Sequence, residues 1–176
     1  MKQILTPLLV CLTIGLSGVA SADPALKRSA ESYGWGFFEE KDEMTDEITH
    51  LAVKRSNTTI DFMNQRTRQA LMIVKPKKSR TNEVMIYLGG NSIYVEPTFE
   101  ATKYLVRIDD NKALKLNGER AWRGEALLFE YNKELMKQIR SGSKLKARVP
   151  TLGKGTHIIE FDLNGAQSAI DYINGK

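Results

Sequence analysis

ALMIVKPKKSRTNEVMIYL, residues 70–88, is the stretch whose reading decides the fold. Two apolar runs, 70–74 and 84–88, flank a polar, basic tip. Neither run alternates with polar residues, so each is apolar on both faces. That is the pattern of a buried central strand rather than a half-solvated edge. A hairpin of this kind needs further strands on either side and a second layer over it.

A second hairpin supplies candidates for that layer. In KLKARVP (144–150) and THIIEFD (156–162) apolar and polar residues alternate. Leu145, Ala147 and Val149 share one face, and Ile159 and Phe161 join them if the turn centres on Gly153. That register sets Lys146 opposite Glu160 and Lys144 opposite Asp162, with Arg148 facing Ile158. A slip of one residue would invert one strand's faces, so the pattern fixes the pairing.

Shorter strand signals surround these two. They are YGWGFFEE (33–40), THLAVKR (49–55), SIYVEP (92–97), KYLVRI (103–108), ALKL (113–116), RAWR (120–123) and ALLFE (126–130). Residues 56–69 are polar and fit no period. NKELMKQIRSG (132–142) changes to helical spacing, with Asn132 placed as N-cap and Gly142 as the stop. Ala166, Ala169, Ile170 and Ile173 form the apolar stripe of a closing helix. The expected fold is mainly β: an antiparallel β-sandwich or partly closed barrel with one internal and one C-terminal short helix. A split αβ sheet with helices on one face is the alternative.

The chain of 176 residues suits one domain behind a leader. Lys2, the apolar run ILTPLLVCLTIGLSGV and the small residues ending at Ala22 have the order of a cleaved signal peptide, residues 1–22. Residues 23–33 read as a flexible leader and 34–176 as a single β-rich domain. Cys11 is the only cysteine and would leave with the signal, so no disulfide or thiol chemistry is expected. The formal charge is +5, and losing Lys2 lowers it by one. An excess that mild favours weak binding to anionic surfaces, and an exported chain meets little nucleic acid.

Candidate chemistry is sparse. Asp109 and Asp110 follow the strand VRI directly, but a calcium loop counted from either fails at Ala113 or Lys112. Asp and Asn in DDNK suit a turn, where they cap local N–H groups and tolerate left-handed backbone. Arg107 could grip a carboxylate or phosphate with two parallel hydrogen bonds. Lys77, Lys78 and Arg80 at the hairpin tip could contact a polyanion, or merely keep the hairpin soluble. Trp122, flanked by Arg120 and Arg123, is either a core anchor or part of a binding face. His50 and His157 have no second ligand at metal spacing, so no metal or other cofactor is expected. No G-x-S-x-G motif is present.

The order of WGFFEEKDEMTDEITHLAV, YLVRIDDNKA, AWRGEALLFEYNKELMKQIRSGSKLKARV and IIEFDLNGAQSAI resembles the periplasmic accessory family of type VI secretion, the TagO/VasI group. It is similar, more loosely, to the invasion-associated locus B proteins. The resemblance implies a β-sandwich of the Gram-negative envelope without a catalytic centre, in which Arg107, Asp109 and Asp110 belong to a structural signature. The resulting expectation is a non-enzymatic periplasmic module, linked to secretion, that acts through an envelope protein or cell-wall polymer. Two alternatives remain. One is an envelope hydrolase or hydrolase inhibitor built on Asp109, Asp110, Arg107 and His157. The other is a scaffold holding anionic lipid through KPKKSR.

Overall fold

The computed structural model describes residues 22–62, 65–89, 104–151 and 155–176. The leader up to residue 21, the expected strand 92–97 and Gly153 lie outside them. The described residues form ten strands in two antiparallel sheets. The first six-stranded sheet holds β1 (Trp35–Lys41), β2 (Ile48–Phe62), β3 (Gln65–Lys75), β4 (Glu83–Tyr87), β7 (Gly118–Ala121) and β8 (Ala126–Phe129), in the order β1-β2-β3-β4-β8-β7. The second holds β5 (Tyr104–Ile108), β6 (Leu114–Leu116), β9 (Lys144–Thr151) and β10 (Gly155–Asp162), in the order β10-β9-β5-β6. The result is a sandwich with short helices and not a closed barrel.

Both hairpins that anchor the sequence reading are present. β3 and β4 occupy the centre of the larger sheet. In the smaller sheet Lys146 pairs with Glu160, Lys144 with Asp162 and Arg148 with Ile158, as the alternation requires. Leu145, Ala147, Val149, Ile159 and Phe161 are all buried. They meet Leu71, Ile73, Val84, Ile86, Leu127 and Phe129 from the inner face of the larger sheet in one continuous core.

Three helices pack at the ends of the sandwich, one more than the periodicity predicts. The internal helix α2 (Lys133–Ser141) begins where Asn132 accepts a hydrogen bond from the Leu135 N–H at 2.9 Å. The closing helix α3 (Ala166–Asn174) buries Ala166, Ala169, Ile170 and Ile173. The additional helix, α1 (Pro24–Ser32), overturns the flexible leader expected at 23–33. Asp23 caps it through the Ala25 N–H at 2.8 Å, and Pro24 supplies a preset first turn. Ala30 and Leu26 join the core, and Tyr33 lies against Gly165 at the head of α3. Nine residues with two apolar anchors carry too little periodicity to be read as a helix. The helix persists because α3 packs against it.

The polar stretch 56–69 proves to be the bend that joins the sheets. Register between β2 and β3 jumps from Arg55↔Ala70 to Thr59↔Arg68, so residues 56–58 oppose Gln69 alone. Ser56 fills the gap in the ladder. Its hydroxyl accepts from the Gln69 N–H at 3.0 Å and donates to the Thr58 carbonyl at 2.6 Å. The bulge turns β2 toward the edge of β10, where the Thr58 hydroxyl accepts from the Glu160 N–H at 3.1 Å.

Ser56→Ala removes the hydroxyl that accepts from Gln69 and strands a buried N–H. Urea denaturation should show a loss of about 2 kcal/mol, within the range for an unsatisfied buried group. Asn57→Ala, at an exposed neighbour, should change stability by less than about 0.5 kcal/mol.

Candidate binding face

The hydrolase constellation is not assembled. Asp109 sits in left-handed backbone, φ 49°, just past β5. Its carboxylate does not cap its own turn, as the tetrapeptide suggests. It accepts from the backbone N–H of Lys144 at 2.8 Å and of Ser143 at 3.0 and 3.2 Å, and so pins the start of β9. Gly142 is required at this joint, because a Cβ there would stand 2.3 Å from Ile108 and 2.7 Å from the Gln138 carbonyl. Asp110 is exposed in the same turn. His157 lies far away: Lys144 pairs with Asp162, and His157 is five residues along β10, a separation of roughly 17 Å at strand rise. The His157 Nε2 is buried with no hydrogen-bond partner among the described residues. Arg107 is exposed on the outer face of the smaller sheet, with its paired neighbour Lys146 on β9. Among the described residues no group of three His, Cys, Asp or Glu side chains could hold a metal.

The basic hairpin tip is largely committed to its own neighbours. Lys75 donates to the Ser79 carbonyl at 2.6 Å. Lys78 is paired with Glu47, and that hydrogen bond raises the lysine above its ordinary pKa. Lys77 and Arg80 are exposed. All three cations predicted to contact a polyanion are exposed, and of them Lys78 already has a carboxylate partner.

Trp122 is no core anchor. It is 44% exposed and begins the turn between β7 and β8. Trp122 and Arg123 both have positive φ, 48° and 57°, followed by Gly124 at 95°. Such backbone is ordinary for Asn-Gly in a hairpin turn and strained for Trp-Arg, by about 1–2 kcal/mol per residue. Glycine at 124 suits its left-handed φ, and the Arg120 guanidinium lies against it. The turn is tied to the end of β4 through the Leu88 N–H and Glu125 carbonyl, 2.8 Å apart. Trp122 thereby sits edge-on to Tyr87, with ring centres 5.5 Å apart.

Tyr87 and Trp122 border a larger apolar surface. Register places Val53, Met72, Met85 and Leu128 in one row across β2, β3, β4 and β8, on the outer face of the larger sheet. Ala70, Tyr87, Ala126 and Ala121 form the next row. With Leu51 and Val74 these side chains make a second hydrophobic cluster, separate from the core. Phe38, 60% exposed on β1, extends the apolar surface to the sheet edge. A concavity of about 930 Å³ opens over this face. Its lining includes Phe38, Met72, Tyr87, Trp122, Arg55 and Arg68, and no Asp or Glu.

Sequence reasoning reached Trp122 and Arg123 but missed the sheet beneath them. The signal lay in the runs 70–74 and 84–88. Apolar residues on both faces were read as burial on both sides, and that holds: Ala70, Met72, Val74 and Met85 on the outer side are buried in the second cluster, and what the runs do not reveal is the concavity beside it.

No protein-family model and no curated protein matches the chain. Among solved structures it is similar to the crystal structure of invasion associated protein B from Bartonella henselae, at 12% identity and a TM-score of 0.49. The likeness covers 78% of this chain and 91% of that one. At that identity it transfers no residue role.

The two adjacent aspartates separate cleanly by experiment. Asp109→Ala should lower unfolding free energy by about 1.5–3 kcal/mol, the range for hydrogen bonds to a charged acceptor. Asp110→Ala should leave it within about 0.5 kcal/mol. Equal losses in thermal or urea denaturation would contradict the assigned role of Asp109.

Proposed function

We propose that the chain is an exported, non-enzymatic accessory module of the bacterial envelope. It works in the periplasm by binding a partner protein on the outer face of the six-stranded sheet. The observation that carries this reading is the strained Trp122–Arg123 turn beside a concavity of mixed lining, with Phe38, Met72 and Tyr87 on one hand and Lys54, Arg55 and Arg68 on the other. Backbone held in left-handed geometry at non-glycine residues accumulates where a site, not stability, fixes the conformation. Aromatic and arginine side chains at the border of a hollow are the residue types that dominate binding energy at protein interfaces.

The chemistry of the partner follows from the lining. An apolar floor edged by Arg55 and Arg68, with no carboxylate in the lining, fits a segment that presents apolar side chains flanked by Asp or Glu. The signal-like residues 1–22 support export. The order of motifs from Trp35 to Ile170 supports a link to secretion through its resemblance to the type VI accessory family.

Photocrosslinking tests the face directly. A benzophenone amino acid at position 38 or 122 should trap the same envelope protein in cells, and one at position 112 should not. Trp122→Ala and Tyr87→Ala should each cut capture at least tenfold while the protein stays folded. Arg123→Gly relieves one left-handed residue, so it should hold or raise the melting temperature by a few degrees, yet weaken capture. Trapping from position 112 alone, or a crosslinked homodimer as the sole product, would refute the reading.

A further inference from the structure

The smaller sheet also has an outward face, and its side chains are of a different kind. Strand alternation directs Leu105 and Arg107 of β5, Lys115 of β6, Lys144, Lys146 and Arg148 of β9, and Ile158 and Glu160 of β10 away from the core. Register brings Leu105, Arg148 and Ile158 into one row across three strands, and Arg107, Lys146 and Glu160 into the next. Arg107 and Arg148 are therefore diagonal neighbours on adjacent strands, within reach of one shared anion.

The carboxylates nearby are mostly engaged elsewhere. Glu160 is paired with Lys146 at 3.0 Å. Asp162 is held from the sheet edge by Lys54 at 3.5 Å. Asp109 is occupied by two backbone amides, and Asp110 stands in the adjoining turn beside Lys112. Arg107 and Arg148 are exposed, and neither has a carboxylate partner among the described residues. Between the rows lies a depression of about 430 Å³ lined by Leu105, Arg107, Ala113, Lys146, Arg148 and Ile158 among others. Ile158 is 57% exposed there, the one large apolar side chain standing out among cations on this face of the described residues.

We infer that this face docks on a membrane surface by taking the phosphate of an anionic lipid between Arg107 and Arg148, with Ile158 and Leu105 against the first apolar carbons. Guanidinium groups grip phosphate oxygens in pairs, which an ammonium cannot do. A bulky apolar residue among cations suits the boundary where headgroup meets acyl chain. The basic tip, where Lys78 is already paired with Glu47, is not the lipid contact. The two faces lie on opposite sides of the sandwich, so lipid and partner protein can be held together.

Vesicle co-sedimentation tests this with the mature chain from residue 23. Vesicles of phosphatidylcholine with about one-third phosphatidylglycerol should bind the protein, and pure phosphatidylcholine should not. The double variant R107A/R148A should lose on the order of 30-fold in affinity, from roughly fivefold per cation at an anionic surface. Ile158→Ser should weaken binding, and K77A/K78A should not. Unchanged thermal unfolding of each variant shows that the fold is intact. Loss with K77A/K78A instead, equal binding to neutral vesicles, or full displacement by millimolar inorganic phosphate would overturn the inference. The last outcome would mark a free-anion site. Position 38 and 122 crosslinking in R107A/R148A separates this face from the protein-binding one, since capture there should persist.

Discussion

The bulge at Ser56–Thr58 is the constraint on which the architecture turns. A strand of fifteen residues, β2, cannot lie flat in one sheet while its far end runs beside another. Three residues opposite Gln69 bend it, and the Ser56 hydroxyl replaces the ladder bonds that the bend removes. Backbone groups buried without such a substitute would be strongly destabilising. Thr58 then reaches the β10 backbone, and Lys54 reaches Asp162 and the carbonyl of Tyr33. One short polar segment thus joins the larger sheet, the smaller sheet and the turn after α1.

Lys54 shows how that joint is organised. It is buried to 6% exposure in a neighbourhood that includes Trp35, whose indole donates to the Asn164 carbonyl at 2.8 Å. A buried ammonium is tolerable only with partners, and it has a carboxylate and a carbonyl. Asp162 also accepts from the Asn164 N–H at 2.9 Å, so the ion pair and the turn into α3 share one side chain. The charge contributes less as net attraction than as a requirement: α1, β1, β2 and α3 must meet in one geometry for it to be satisfied.

Much of this was legible wherever a single period ran for several residues. The β9–β10 register follows from Leu145, Ala147, Val149, Ile159 and Phe161 alone, because a period of two leaves one pairing with a buried apolar face. Asn132 caps α2 and Gly142 ends it, the latter in extended backbone, φ −86°, and not by a left-handed cap. What escaped depends on distant contacts. α1 is held by α3, the Asp109 carboxylate binds amides 34 and 35 positions away, and the bulge at 56–58 is satisfied by Gln69 and Glu160. The α3, Ser143, Lys144 and Glu160 partners are all far away in sequence, so no short periodic window contains both halves of those interactions. The concavity escaped for another reason: Met72 and Met85 are buried and read as core, and nothing in their composition marks a hollow beside them.

The two outward faces differ in composition although central strands build both. β3, β4 and β8 are central strands of the wide sheet, and their outward residues are apolar and packed against one another. In the narrow sheet β9 and β5 carry Lys146, Arg148 and Arg107 outward, as solvated strands do. A sandwich built only for stability would be polar on both outer sides, since an apolar outer row adds aggregation risk and no core. The wide sheet departs from that rule where β7 and β8 are joined by two left-handed residues that set an indole edge-on to Tyr87. Ordinary turn residues would close the same hairpin with less strain, so the geometry is explained by what the turn displays and not by the connection it makes.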